Sequence, residues 1–189
     1  QKAKKPILIN DLKLIINAID KEKIRDKALI LIGFAGGFRR SELVNINYED
    51  VEFVPEGVKI LITRSKTDQS GEGITKAIPY FDNQEFCPVN VLKKYINLKF
   101  KDSNEGKIFA ISDKSVALII KRYAERAGLD SSRYAGHSLR SGFATTAAEF
   151  GAEERNIMAM TGHKTTQMVR RYIQEANLFK NNALNKIKI

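Results

Sequence analysis

Only one interval of this sequence shows the short apolar runs of β-strands, and helical patterns lie on both sides of it. Residues 51–54, 58–62 and 76–79 form the three runs, and turn residues 55–57 and a polar loop, 68–73, separate them. Branched apolar residues bounded by glycine, proline and aspartate are typical of strands joined by hairpins. We therefore predict a mainly helical α+β domain that contains one small three-stranded antiparallel sheet.

Apolar residues spaced three and four positions apart predict helices in the rest of the chain. Before the sheet the pattern covers residues 10–19, with Asn10 as N-cap, residues 24–34, which end at Gly36-Gly37, and residues 40–45. After the sheet it covers residues 89–98, 116–127, 138–150, 153–160, 166–173 and 178–185, the last capped by Asn177. No repeat or low-complexity linker divides the chain, so we expect one domain over residues 1–189.

The charge balance narrows the class of partner. Lys and Arg number 32 against 22 Asp and Glu, which gives a formal net charge of +10 and a pI near 9.6. Such an excess favours polyanions, because each neutralised phosphate releases condensed counterions. The apolar runs are too short to span a membrane, and the single cysteine, Cys87, cannot form an internal disulfide. We therefore expect a cytoplasmic protein that does not associate with membranes.

Both histidines of the chain, His137 and His163, follow a glycine, which is an unusual setting for core histidines. They are far apart and the one cysteine is remote, so no zinc-ligand spacing is present and we predict no metal site. If a helix begins at Ser138, His137 and Arg140 face one point at its N-terminus, where backbone N–H groups favour an anion. Alone, this short pattern more often reflects a solvated Arg140 behind a capping Ser138, and both interpretations stay open.

Five separate elements occur in order along the chain. Gly37-Phe38-Arg39-Arg40-Ser41-Glu42-Leu43 comes first, Ser65-Lys66-Thr67 follows the second strand, and His137-Ser138-Leu139-Arg140, Thr161-Gly162-His163 and Tyr172 come last. In type, order and spacing, including the nine residues from His163 to Tyr172, this set resembles the tyrosine recombinase (phage integrase) family. The resemblance covers essentially the whole chain. It implies the DNA breaking-rejoining fold of that family's catalytic domain.

The implied activity is site-specific DNA recombination or integration without a metal, ATP or another cofactor. By resemblance Tyr172 is the nucleophile and forms a 3′-phosphotyrosyl bond. Arg39 and Arg140 would clamp the scissile phosphate, because a guanidinium fork matches two oxygens. The family usually has an apolar residue after the first arginine, so Arg40 departs from the pattern and is predicted to be solvated or to contact the DNA backbone. Glu42 is predicted to hold an arginine or to cap the helix, since a carboxylate facing the phosphate would be repelled.

The same resemblance implies that three further residues transfer protons or donate a hydrogen bond to the phosphate. His163 would donate a hydrogen bond to a non-bridging oxygen, and His137 would act as a base or proton relay near the nucleophile. The residues alone leave these two histidine roles interchangeable. Lys66 would protonate the leaving 5′ oxygen, a role for which Lys76 and Arg64 are close enough in sequence to compete.

The implied partner is double-stranded DNA with a specific recombination site, bound by a homotetramer whose protomers are monomers without DNA. Basic residues predicted to contact this DNA are Arg40, Arg64, Lys164, Arg170 and Arg171. Apolar residues of the basic C-terminal segment, residues 177–189, would pack on a neighbouring protomer or close the chain's own core; they are Leu178, Phe179, Leu184 and Ile187. The family usually carries an N-terminal helical domain that completes a clamp around DNA, and we expect residues 1–189 to be the catalytic domain without it.

Two other functions compete with this interpretation. A DNA-binding regulator without catalysis would use the basic charge and the late helices equally well, but it would not need the intact set of chemical groups. A type IB topoisomerase-like enzyme shares the tyrosine chemistry but relaxes supercoils. The short spacing from Gly162-His163 to Tyr172 resembles the recombinases more.

Overall fold

The described part of the chain comprises residues 4–63, 73–163, 165–180 and 182–187 of a computed structural model. Before the sheet come α1 (Ile9–Asn17), α2 (Ile24–Ala35) and α3 (Arg40–Val44). The strands are β1 (Val51–Val54), β2 (Gly57–Ile62) and β3 (Ile74–Pro79). After them come α4 (Pro88–Lys99), α5 (Asp113–Arg126), α6 (Ser138–Glu149), α7 (Glu154–Thr161) and α8 (Thr166–Ala176). None of the helices in these ranges is long and apolar enough to cross a membrane.

The sheet is the predicted three-stranded antiparallel one, in the order β1-β2-β3. Its central strand pairs Ile60 with Val51 on one side and with Lys76 on the other. In β3 the buried positions are Lys76 and Ile78, while their neighbours Thr75 and Ala77 are exposed. Because side chains alternate along a strand, this puts a lysine on the face that packs against the helices.

The main hydrophobic core surrounds α2. All residues from 28 to 35 are buried, because α2 packs against α4 on one side and α6 on another. The buried carboxylate of Asp26, at the first turn of α2, accepts a 2.5 Å hydrogen bond from the hydroxyl of Tyr123 in α5. A helix that is apolar all round is expected at the centre of a domain, and α2 therefore supplies a rigid base for the turn that follows it.

A second, smaller hydrophobic cluster joins α6, α7 and α8. Its buried members are Ala144, Ala148, Ile157 and Val169, and Tyr172 packs against it. The first turn of α6 belongs instead to the main core through Leu139. α6 therefore links the main core to the helix that carries Tyr172.

The C-terminal prediction was wrong in detail. Residues 178–180 form a turn instead of a helix, Ala183–Lys186 is a single 3₁₀ turn, and Asn177 ends α8. The apolar side chains of this segment are exposed, so no buried face is available to stabilise a helix. Two helix starts also differ: α1 begins at Ile9 with Leu8 as its N-cap, and α5 begins at Asp113, three residues before the apolar pattern.

Candidate active site

Arg39 lies where the chain leaves α2 and enters α3. Gly37 forms the turn with a positive φ of 58°, a conformation that favours glycine, and Arg39 is the N-cap of α3. The Glu42 carboxylate accepts a 2.8 Å hydrogen bond from the backbone N–H of Arg39, and its other oxygen lies 3.7 Å from Arg39 Nη1. Glu42 therefore both caps the helix and pairs with the arginine, which fixes where the guanidinium stands.

Arg140 is buried in the first turn of α6, with 4% of its surface exposed. Its Nη1 donates to the carbonyl of Gly37 at 3.0 Å and to the carbonyl of Thr161. Its Nη2 is buried and has no hydrogen-bond partner among the described residues. Burial, followed by the charge of Arg39, lowers the pKa of Arg140 to about 10, so the side chain is still a cation at neutral pH. A solvated Arg140 is therefore excluded.

His163 follows Gly162, whose φ of 73° ends α7 in the left-handed conformation. The ring is buried, and its Nδ1 lies 2.6 Å from the hydroxyl oxygen of Thr161. Burial, followed by Arg140, Arg39 and Lys76, lowers the pKa of His163 to about 4. The imidazole is therefore neutral at neutral pH in the DNA-free protein.

Tyr172 lies on α8, and its ring centre is 6.3 Å from the ring centre of His163. It is half-buried and lines a cavity of about 340 Å³ together with Ser141 and Thr145 of α6. By contrast, the hydroxyls of three buried tyrosines donate to acceptors away from this site: Tyr95 to Ile108 O, Tyr123 to Asp26 and Tyr134 to Asp11. The geometry therefore distinguishes Tyr172 from these tyrosines.

His137 is exposed at the N-cap position of α6. Desolvation by the surrounding protein, followed by the charges of Arg140, Arg40 and Arg39, nevertheless lowers the pKa of His137. The arginines that lower the pKa of His163 also act on His137, so both histidines lie beside one cluster of cations. Like His163, His137 is held toward its neutral form, which is the form that can accept a proton.

Lys76 lies in the third strand, as predicted, but its burial and its contacts were not predicted. It is 2% exposed, its Nζ donates to the carbonyl of Gly36 at 2.8 Å, and Nζ lies 4.3 Å from the ring centre of Phe38. Its side chain therefore packs against the turn that leads to Arg39. The alternation of β3, which puts Lys76 on the same face as Ile78, was the signal that could have found it. Lys66 and Arg64 lie outside the described residues, and their roles stay predictions.

Stability at alkaline pH tests the burial of Lys76. Burial, with Arg140 and Arg39 as further causes, lowers the pKa of Lys76 to about 8 from an ordinary 10.5. The folded protein therefore loses this proton near pH 8 while the unfolded chain keeps it, so stability rises with pH in that window. Between pH 8 and about 9.5 we expect the free energy of unfolding to increase by about 2 kcal/mol because of Lys76.

Urea unfolding across this pH range measures the effect. Lys76→Met should lose the rise in stability, whereas Lys59→Met, on an exposed position of the neighbouring strand, should keep it. Equal pH profiles for the two variants would contradict the burial of a charged lysine at this position.

The predicted DNA-contacting residues that are described lie on the surface. Arg40 pairs with Asp113 at 3.6 Å, Arg170 with Glu154 at 3.2 Å, and Arg171 with Glu175 at 3.4 Å, and all three arginines are exposed. Exposed ion pairs of this kind are weak, so a phosphate can replace the carboxylate partner. Lys164, like Arg64, lies outside the described residues.

Together these side chains have the properties that phosphoryl transfer needs. A tyrosine hydroxyl stands near a neutral histidine, and two arginines with different degrees of burial lie in the same cluster. Cations with free hydrogen-bond donors stabilise charge that develops on phosphate oxygens. In the described part of the chain, no group of three or more His, Cys, Asp or Glu residues could hold a metal ion.

Comparison with known proteins agrees with this geometry. The chain matches the model of the phage integrase family over residues 7–178. It is 48% identical to an integrase/recombinase xerD homolog of Selenomonas ruminantium, over 99% of this chain and 59% of that protein. It is 29% identical to tyrosine recombinase XerA of Pyrococcus furiosus, over 94% of this chain and 63% of that protein. The chain thus spans about three-fifths of the length of these curated relatives.

Solved structures share the fold. A crystal structure of XerA recombinase superposes with a TM-score of 0.76 at 19% identity, covering 100% of this chain and 66% of that one. XerH recombinase in a pre-cleavage complex with its difH substrate superposes with a TM-score of 0.72 at 17% identity, covering 98% of this chain and 56% of that one. A lambda integrase tetramer bound to a Holliday junction superposes with a TM-score of 0.66 at 17% identity, covering 100% of this chain and 52% of that one. The predicted catalytic-domain fold is therefore confirmed.

Proposed function

Because the chain belongs to the phage integrase family of tyrosine recombinases, we propose that it is the catalytic domain of an enzyme that cuts and rejoins DNA at specific sites. One observation carries the proposal. Arg140 is a buried cation whose Nη2 has no hydrogen-bond partner in the described part of the chain, and it lies in one cluster with His163 and Tyr172. A buried donor without a partner is costly, and a phosphate oxygen would satisfy it.

In the cleavage step, the Tyr172 oxygen attacks the scissile phosphorus and the bond from phosphorus to the 5′ oxygen breaks. Arg39 and Arg140 hold the non-bridging oxygens, where negative charge grows. His137 takes the proton of the tyrosine hydroxyl, since its lowered pKa keeps it neutral at neutral pH. Lys66 supplies the proton that the departing 5′ oxygen needs.

In the rejoining step, the 5′ hydroxyl of a second strand attacks the phosphotyrosine and the bond to Tyr172 breaks. One phosphodiester is exchanged for another of similar energy, so neither ATP nor a metal enters the balance. Which strand attacks determines the outcome: a strand from the partner duplex gives recombination, and the original strand restores the starting DNA.

The same observation favours catalysis over the noncatalytic alternative. A DNA-binding regulator needs exposed cations, such as Arg170 and Arg171, but it gains nothing from a buried arginine beside a neutral histidine. Topoisomerase-like relaxation uses the same groups, and only the DNA product separates it from recombination.

The proposed assembly is a homotetramer on two DNA duplexes, formed in the cytoplasm from protomers that are monomeric without DNA. The C-terminal segment supports it: Leu178, Phe179, Leu184 and Ile187 are exposed, so these side chains do not close the chain's own core. Exposed apolar residues of this kind are typical of surfaces that bind another protein. We propose that they pack on a neighbouring protomer, in an assembly like the lambda integrase tetramer.

The experiment that tests the function starts without a known target site. Full-length protein is incubated in EDTA, without ATP, with a pool of nicked duplexes of random sequence, and DNA covalently attached to protein is recovered after denaturation. Two copies of an enriched sequence are then placed on a supercoiled plasmid. Deletion of the intervening DNA would support recombination. Relaxation of the plasmid without deletion would show a topoisomerase-like activity instead. Binding without covalent capture would favour the noncatalytic DNA-binding function.

A further inference from the structure

Thr161, the last residue of α7, contacts several groups of the site at once. Its side chain is 1% exposed, and its hydroxyl oxygen lies 2.6 Å from His163 Nδ1 and 3.0 Å from the carbonyl oxygen of Ile157. Its own carbonyl accepts from Arg140 Nη1. A threonine hydroxyl has one proton, so it can donate to only one of its two acceptors at a time.

The position of that proton decides what His163 can do. The ring is neutral at neutral pH, and a neutral imidazole has one N–H donor and one bare nitrogen. With the proton on Nδ1, Nε2 is an acceptor and His163 can only act as a base. With the proton on Nε2, the ring can donate to a phosphate oxygen. The partner of Nδ1 selects between these tautomers.

We propose that Thr161 is a positioning residue whose hydroxyl donates to His163 Nδ1 and so holds the proton on Nε2. The separation of 2.6 Å puts the Thr161 hydroxyl and His163 Nδ1 in hydrogen-bonding contact, in which either atom can be the donor. The backbone N–H of His163 points at the same hydroxyl oxygen at 3.4 Å, so that oxygen already has a donor. Ile157 O lies four residues earlier in α7, where the helical backbone N–H of Thr161 is its regular donor.

This assignment separates the two histidines, which the sequence left interchangeable. His163 becomes a hydrogen-bond donor to a non-bridging oxygen, and His137, which lies beside the same arginines, becomes the base for the tyrosine proton. The phosphate part of this inference rests on the proposed function. The tautomer itself is a property of the DNA-free protein and can be measured without any activity.

Nitrogen-15 NMR of histidine-labelled protein measures the tautomer directly. The chain has two histidines, and a His137→Asn variant identifies the resonances of His163. In the wild type at pH 7 we expect a protonated Nε2 and an unprotonated Nδ1. Thr161→Val, which has the same shape without the hydroxyl, should populate the Nδ1–H form, and Thr161→Ser should restore the wild-type pattern. A wild-type ring protonated on Nδ1, or a Thr161→Val ring with the wild-type pattern, would overturn the inference.

The covalent-capture assay then tests the consequence for catalysis. Loss of one hydrogen bond to the ring should slow cleavage by Thr161→Val on the order of tenfold, with Thr161→Ser close to wild type. Equal rates for wild type and Thr161→Val would refute the positioning role. Absence of covalent product from the wild type itself would instead count against the proposed function, while the NMR result still decides the tautomer. If Thr161→Val does not fold, the wild-type spectrum and Thr161→Ser keep the inference testable.

Discussion

Tyr172→Phe abolishes covalent attachment of the protein to DNA and leaves DNA binding and unfolding stability near those of the wild type: this is the expected result. The substitution removes only the hydroxyl oxygen that attacks phosphorus. The ring still packs against the small cluster of α6, α7 and α8, so little apolar contact is lost. A nicked duplex traps the intermediate because the released short strand diffuses away, and the product is seen as a protein–DNA band on a denaturing gel.

A matched control comes from another surface-accessible tyrosine. Tyr80 lies at the end of β3 and is 38% exposed, and Tyr80→Phe should form the covalent band at the wild-type rate. Retarded DNA on a native gel shows whether both variants still bind. A covalent band of wild-type intensity from Tyr172→Phe would show that another residue is the nucleophile.

Arg140→Lys has the second large effect: it lowers the cleavage rate on the order of 10² to 10³-fold. A lysine keeps the charge, but it cannot donate to Gly37 O and Thr161 O while also presenting a second nitrogen to the phosphate. Single-turnover cleavage at saturating protein separates this loss from weaker DNA binding.

Arg126→Lys is the control for this substitution. Arg126 forms an exposed ion pair with Asp20, away from the cluster around Arg140, and its replacement should leave cleavage within error of the wild type. If Arg140→Lys cleaves as fast as Arg126→Lys, the guanidinium does not contact the transition state.

The fold was predictable because the deciding signals are local. Apolar spacing along α2 and α6 and the short runs of β1, β2 and β3 reflect which face of each element is buried, and burial pattern is visible in one sequence. The prediction of a helix in the C-terminal segment was wrong because it relied on the same local signal. Its apolar residues have the spacing of a helix, but a helix forms there only if a partner surface covers it, and sequence periodicity does not contain that surface.

The candidate site was predictable as a set but not in its supporting contacts. The structure brings Arg39, Arg140, His163 and Tyr172 together, as their order and spacing in the sequence led us to expect, and their roles stay predictions. The contacts of Lys76 and Thr161 were not predicted, because they form between segments that meet only in the folded chain. Lys76 of β3 contacts the turn after α2, and Thr161 at the end of α7 contacts α6. A polar residue at a buried position of a strand or helix is the one trace of such contacts in a sequence.

The most direct test of the central claim is to identify the amino acid that carries the DNA. Covalent protein–DNA product is digested with nuclease and trypsin, and the peptide that retains a nucleotide is identified by mass spectrometry. Cleavage after Arg171 and Lys180 isolates residues 172–180, in which Tyr172 is the sole tyrosine. We expect a nucleotide joined through its 3′ phosphate to the Tyr172 oxygen. A nucleotide on any other residue, or one joined through a 5′ phosphate, would contradict it.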